Sequence, residues 1–237
     1  MFKNEAMQTL TNIEVARIFD DAAEVFDARS NPYAMARRAR ALAMHVSGRS
    51  LEVGGGTAAV TAALKDGSAA THSDIAFQMC RIARKKVGRP SVCLDAEQIP
   101  FDDASIATVV SAEMIYYLRR PERFAAEAYR VLKEGGRLVL STTNPMMAIV
   151  DRGRALLRRM GFSRMFIDDG SPKFPALSVV TRILVESGFV VESIRGIVPL
   201  PFAFCDGLNR LLECTPVHRL GLFMVIVAKK PRSIGHS

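Results

Sequence analysis

Apolar residues recur at helical spacing through Ile13, Ala16, Ile18, Phe19, Ala22, Ala23, Val25 and Phe26. The run breaks at Ser30, Asn31 and Pro32, and a second helical stretch then reaches Val46. Two leading helices are therefore expected. Beyond position 49 the rhythm changes. Short apolar runs at 50–53, 69–73, 91–94, 106–111 and 137–142 read as strands, and amphipathic stretches at 57–64, 75–86 and 121–132 read as helices between them. Such alternation predicts an α/β chain whose mostly parallel sheet is wrapped by helices. It lapses after Thr143, where a helix-like stretch at 146–160 leads into a loop at 168–175 rich in Asp, Gly and Pro. A lid inserted after the fifth strand is expected there. The alternation resumes with a helix at 178–187, a strand at 189–195, an irregular apolar segment and a last strand at 222–230, which together predict a closing hairpin.

A chain of 237 residues, 49% of them hydrophobic, suits one domain with a full core. The start, MFKNEAMQTL, is polar, and no apolar run reaches the roughly 18 residues of a membrane span, so a cytoplasmic location is expected. Cys80, Cys93, Cys205 and Cys214 lie far apart and read as small buried apolar residues in a reducing compartment. No set of His, Cys and carboxylate residues has metal-ligand spacing, so no metal is expected. The net charge of +8 is compatible with a polyanionic partner. Its basic clusters at 37–49, 81–89 and 152–164, however, read as separate solvated faces.

The chemistry concentrates in LEVGGGT, residues 51–57, where an apolar strand ends in an acid and three glycines precede a helix. Glycine lets the backbone turn sharply and lets a ligand approach closely. Gly54, Gly56 and Ala59 also satisfy the dinucleotide-binding spacing, which keeps an NAD-dependent oxidoreductase open as an alternative. Glu52 weighs against it, because a carboxylate there opposes a pyrophosphate but suits the ammonium of an amino-acid-bearing cofactor. Asp74, at the end of the second strand, is placed to take ribose hydroxyls and fits either cofactor.

Four blocks in order, LEVGGGT, SDIAFQMCRIARKK, LDAEQIPFDDASIATVVSAEMIYYL and EAYRVLKEGGRLVLS, resemble the class I S-adenosylmethionine-dependent methyltransferases, in particular the small-molecule group related to ubiquinone and menaquinone C-methyltransferases. The resemblance implies a Rossmann-like, mostly parallel seven-stranded sheet with helices on both faces. It also implies one domain: a helical cover over 1–49, a cofactor-binding core over 50–142, the lid over 143–177, and a C-terminal helix and strands over 178–230. By position it assigns Glu52, Gly54, Gly55 and Gly56 to the methionine part of S-adenosylmethionine, and Asp74 to the ribose. Ile75, Asp95 and Ala96 fall to the adenine, and Ser111 lies beneath the sulfonium. The leader IFDDAAEVFD corresponds to a helix closing over the cofactor. Two departures stand out: Ala58 replaces the usual glycine, where it is expected to tighten helix packing by one methyl, and Ile106 and Ala107 replace a phenylalanine-aspartate pair.

Methyl transfer is an in-line displacement, so the protein has mainly to position a nucleophile about 3 Å from the methyl carbon and exclude water. Glu113 is the candidate catalytic group, and Tyr116 and Tyr117 are candidates to line the acceptor site. His72, inside a strand, reads as a core histidine, while His218, Asp168 and Asp169 fall in the variable regions. The place after the fourth strand reads SAEM, not the proline-rich box that holds an extruded base, which argues against nucleic acid as acceptor. A small-molecule or lipid-like acceptor, methylated at O, N or C, is expected. A non-catalytic S-adenosylmethionine-binding protein would carry the same motifs. The basic amphipathic stretch at 148–162 and the apolar IVPLPFAF admit peripheral membrane contact, although a lid helix packed on the core with its arginines in water explains the first better. The oligomeric state is not legible.

Overall fold

The computed structural model describes residues 11–65, 68–144, 176–198 and 200–232. Of the expected lid over 143–177, residues 145–175, which include Asp168 and Asp169, lie outside the described residues.

Seven strands, β1 (Ser50–Val53), β2 (Ala70–Asp74), β3 (Ser91–Cys93), β4 (Ile106–Ala112), β5 (Leu132–Thr143), β6 (Val190–Ile197) and β7 (Phe223–Lys229), form one sheet in the order β3-β2-β1-β4-β5-β7-β6. The pairs β1 with β2, β1 with β4, β2 with β3 and β4 with β5 are parallel, and β7 runs antiparallel to both β5 and β6. The helices are α1 (Asn12–Ala22), α2 (Pro32–Ala43), α3 (Ala59–Ala63), α4 (Phe77–Val87), α5 (Pro121–Val131), α6 (Leu177–Glu186) and α7 (Asp206–Glu213).

Both faces of the sheet are covered, and the alternation of side chains along each strand divides them. Val109, Leu138, Leu140 and Ile226 pack on one side with Phe124 and Val131 of α5 and Val180 and Leu184 of α6. Their neighbours Val110, Val139, Val225 and Val227 pack on the other with Ala34, Ala39 and Leu42 of α2 and Val60 of α3. Because β1 and β4 are parallel, their carboxyl ends meet at one rim, where an open sheet of this kind reverses its strand order and binds ligands.

Several expectations are adjusted. The first leading helix ends at Ala22 and continues as tight 3-10 turns to Arg29. The helix after the glycines starts later than expected, at Ala59, because Ala58 adopts a left-handed backbone with φ of 64°. The expected gain from its methyl is thereby reversed: a Cβ in that conformation is disfavoured by about 1 to 2 kcal/mol. The segment after β6, read as irregular, contains α7. The final hairpin does form as the antiparallel β6–β7 pair, with that helix in its connection. Among the cysteines only Cys80 is buried, while Cys93 and Cys214 are exposed, so the expectation of four buried thiols fails. No helix among the described residues is long and apolar enough to cross a membrane.

Candidate functional site

The glycine turn follows β1 directly, and each glycine has its own reason to be one. Gly54 and Gly56 take φ of 64° and 53°, which favours glycine. A Cβ on Gly55 would come within 2.7 Å of both Glu52 and His72. Close approach of a ligand is the expectation for the glycine turn; at 55 the constraint is internal packing.

Glu52 is only 2% exposed and accepts hydrogen bonds from the backbone N–H groups of Val60 and Thr61 and from the Thr61 hydroxyl. It thus anchors the start of α3, and its direct contact with a ligand ammonium, expected from sequence, is not open in this arrangement. Burial pushes its pKa up to about 7. The cross-strand partner of Glu52 is His72, which is fully buried, has Nδ1 2.8 Å from the Ser91 hydroxyl and is pushed down to about 4 by burial. The core reading of His72 fits this placement.

Asp74 is buried at the end of β2 and accepts from the backbone N–H groups of Gly56 at 2.8 Å and Ala76 at 2.9 Å. One carboxylate therefore ties the glycine turn to the second strand. Burial raises its pKa, the three nearby backbone amides of Ala76, Gly56 and Ile75 oppose that, and Asp20 adds to it. Ile75 is half-buried beside it. After β3, Asp95 closes its own loop by accepting from Glu97 N–H at 2.8 Å, and its other oxygen accepts from the Asn12 side chain. Ala96 is buried.

The leader lies over these acids. Asn12 reaches Asp95, Asp20 accepts from Gln78 N–H at the start of α4, and Asp27 accepts from Thr57 and, at 2.8 Å, from Lys86. Phe26 sits 3.3 Å from where a Gly56 Cβ would be, and Phe19 meets Tyr117 edge-on at 5.2 Å. Asn12, Asp20 and Phe26 were not singled out from sequence. Their only signal was the aromatic and acidic character of the leader.

At the carboxyl end of β4, Ser111 is 2% exposed and its hydroxyl has no hydrogen-bond partner among the described residues. An orphaned hydroxyl at that depth is costly unless a ligand supplies the partner. With the acids at the ends of β2 and β3, it fits S-adenosylmethionine lying across the rim. Two residues on, Glu113 has φ of 58°, a left-handed conformation uncommon for a residue with a side chain and a frequent mark of functional sites. Its carboxylate accepts hydrogen bonds from Tyr116 at 3.0 Å, Ser141 at 2.8 Å and Thr143, so the ends of β4 and β5 converge on it. Tyr116 is buried, and burial followed by the neighbouring Glu113 charge raises its pKa well above the ordinary value. Tyr117 is half-buried against it, the ring centroids 4.7 Å apart. His218 stands apart, its Nδ1 accepting from Gly196 N–H. No group of three or more metal-ligating side chains occurs among the described residues.

Residues 51–140 match the family model described as a methyltransferase domain. An uncharacterised methyltransferase of a Geobacillus species is 30% identical over 151 residues, covering 60% of this chain and 69% of that protein. A phosphatidylethanolamine N-methyltransferase of Cereibacter sphaeroides is 27% identical over 171 residues, covering 66% of this chain and 84% of that protein. The chain spans only 20%, 36% and 58% of the length of three further curated relatives. Among solved structures, an S-adenosylmethionine-dependent methyltransferase of Thermotoga maritima superposes with a TM-score of 0.67 at 23% identity, covering 90% of this chain and 99% of that one.

Proposed function

The chain belongs to the class I S-adenosylmethionine-dependent methyltransferases, and on that premise we propose that it passes a methyl group to a small-molecule or lipid-like acceptor held against the rim of β4 and β5. Membership sets aside the dinucleotide alternative, and strand order agrees: the usual dinucleotide sheet runs 3-2-1-4-5-6, whereas β7 here separates β5 from β6. S-adenosylmethionine supplies an electrophilic methyl on a sulfonium. Asp74 and Asp95 hold its ribose and adenine, Ser111 lies beneath the reacting end, and the leader helix covers it.

The observation that carries the reading is Glu113. A strained backbone aims its carboxylate where β4 and β5 end, and three hydroxyls fix its orientation. There Glu113 takes the proton from an acceptor oxygen, nitrogen or activated carbon as the methyl arrives, and Tyr116 and Tyr117 line the acceptor. The lipid-like side of the reading draws on α7. Its only buried residue is Asn209, so the helix turns its polar face inward and leaves Leu208 and Leu211 exposed beside Phe202 and Phe204. This segment follows the carboxyl end of β6, at the same rim as Glu113. Incubation of the full chain with methyl-labelled S-adenosylmethionine and fractionated cell extract tests the proposal. Label should enter an organic-soluble or small-molecule fraction; label confined to RNA or protein, or none at all despite cofactor binding, would overturn it.

A further inference from the structure

On α2 the residues facing the core are Ala34, Arg38, Ala39 and Leu42. Positions 34, 38 and 42 are successive turns of one stripe, so a guanidinium occupies the middle of an otherwise apolar face. Arg38 is only 9% exposed, its Nε is wholly buried with no hydrogen-bond partner, and it forms no ion pair or hydrogen bond with the described residues. Its neighbour Arg37 is treated oppositely, with Asp206 at 2.8 Å and Glu213 both bonded to it. Two acids thus hold Arg37, and among the described residues none holds Arg38.

The Arg38 guanidinium stacks over the Phe223 ring, 5.0 Å from the guanidinium carbon to the centroid. Stacking satisfies the flat face of a guanidinium and leaves the N–H groups in its plane unmet. An unpaired buried cation is costly, and an apolar side chain of similar shape would suit the stripe better for stability alone. Position suggests what the cation is for. Phe223 begins β7 opposite Thr143 at the carboxyl end of β5, and the Arg38 charge is felt at Tyr116, whose hydroxyl bonds Glu113. Arg38 therefore stands under the β5–β7 half of the rim. Asp74 and Asp95, which hold the cofactor, follow β2 and β3 on the other half.

We propose that Arg38 binds an anionic group of the methyl acceptor, a carboxylate or phosphate that enters the rim and completes the guanidinium's missing hydrogen bonds. The inference rests on the methyltransferase reading above and narrows its acceptor to an oxyanion-bearing molecule. A planar fork of N–H donors matches either group in a two-point contact. Glu113 repels such a group, so the anion is held at Arg38 and the reacting atom turns toward the carboxylate.

The test uses malonate and inorganic phosphate as probes, titrated by calorimetry into the full chain saturated with S-adenosylhomocysteine. Wild type should bind at least one of them, and Arg38→Met should bind it at least tenfold more weakly. The variant's affinity for S-adenosylhomocysteine should stay within threefold, and its unfolding midpoint should be unchanged or higher. Arg38→Lys, which keeps the charge without the fork, should fall between the two. A tenfold loss of S-adenosylhomocysteine affinity in Arg38→Met would assign the guanidinium to the cofactor's own carboxylate and overturn the proposal. Equal anion binding by both proteins, no anion binding by wild type, or a variant that unfolds would overturn it as well. Failure of wild type to bind S-adenosylhomocysteine at all would instead strike the methyltransferase reading.

Discussion

Asp74 and Glu113 are both carboxylates at the ends of strands, yet their surroundings give them separable tasks. Asp74 already accepts from two backbone amides and has its charge disfavoured by burial, so hydroxyl donors from a ribose would stabilise an ion the apo fold tolerates poorly. Asp74→Asn keeps an acceptor for one of those amides, loses it for the other, and removes the charge. It should weaken S-adenosylhomocysteine binding about tenfold, roughly 1.4 kcal/mol, while leaving the fold intact. Glu113→Gln should do the reverse, leaving that affinity within threefold and lowering methyl transfer at least tenfold, about 1.4 kcal/mol in the barrier. Calorimetry and label transfer on the two variants check both halves. Equal loss of cofactor affinity in both would merge the two sites into one and refute the assignment of Glu113 to the acceptor.

At the scale of elements, β1 and β2 set two titratable groups opposite each other, and the pair predicts how stability responds to pH. Glu52 holds its proton to about 7 when folded against a reference of 4.5, so its contribution is full below 4.5 and is lost as pH rises through 7. His72 is depressed to about 4 against 6.5, so its contribution is full above 6.5 and is lost as pH falls through 4. Each shift is worth about 3 kcal/mol at 1.36 kcal/mol per pH unit. Between 4.5 and 6.5 unfolding releases a proton from Glu52 and binds one at His72, so the pair adds no slope; Asp74, shifted in the same direction as Glu52, contributes stability that is lost as pH rises. In His72→Gln the Glu52 slope stands alone, and relative to wild type the variant should gain about 2 to 3 kcal/mol as pH is lowered from 6.5 to 4.5. Urea unfolding at three pH values measures this, and parallel profiles would mean that the two groups are not shifted as described. None of this coupling was legible in the sequence. Short apolar runs between helical stretches mark every strand of the sheet, because buried strands such as IATVVSA of β4 and FMVIVAK of β7 are near-continuous apolar runs, but register, which pairs Glu52 with His72, is a property of two segments at once. The acids at the strand ends were legible for a related reason, since Asp74 and Asp95 follow directly from where strands stop. Asn12, Asp20 and Phe26 were not, because a helix far along the chain has to fold back before they have a site to touch. Arg38 falls in a basic cluster that reads as a solvated face, because the helical period alone does not say which face of α2 turns inward. Helix α7 is not legible because its pattern is inverted: Asn209, bonded to Tyr33 and Leu200, faces in, and Leu208 and Leu211 face out.

That inversion becomes a statement about the whole molecule once charge is added. Phe204 is 87% exposed, and Phe202 stacks on it at 5.5 Å, with Leu208, Leu211 and Leu220 also exposed on the same segment. Single exposed apolar residues are ordinary, but a contiguous group carrying two aromatic rings marks a contact surface. Arg219 is exposed on this segment, Arg210 is exposed but paired with Asp206 at 2.9 Å, and the chain carries a net charge of +8, so an anionic bilayer surface matches the apolar face and the sign of the whole molecule. Docking there would bring the rim of β4 and β5 to the membrane, which is where a lipid-like acceptor with an anionic head would be met. The full chain should therefore float with vesicles of phosphatidylcholine containing about a third phosphatidylglycerol, and bind pure phosphatidylcholine vesicles far less. Raising salt from about 0.1 M to 1 M, which shortens the screening length from roughly 10 Å to 3 Å, should release much of it. The double variant Phe204→Asp with Leu211→Asp removes the apolar contact and adds repulsion, and it should abolish flotation while leaving S-adenosylhomocysteine affinity within threefold, because neither residue belongs to the cofactor site. Undiminished flotation of that variant would place the membrane contact elsewhere on the molecule. Absence of flotation by wild type would leave this face without a lipid partner and would shift the acceptor toward a soluble anion.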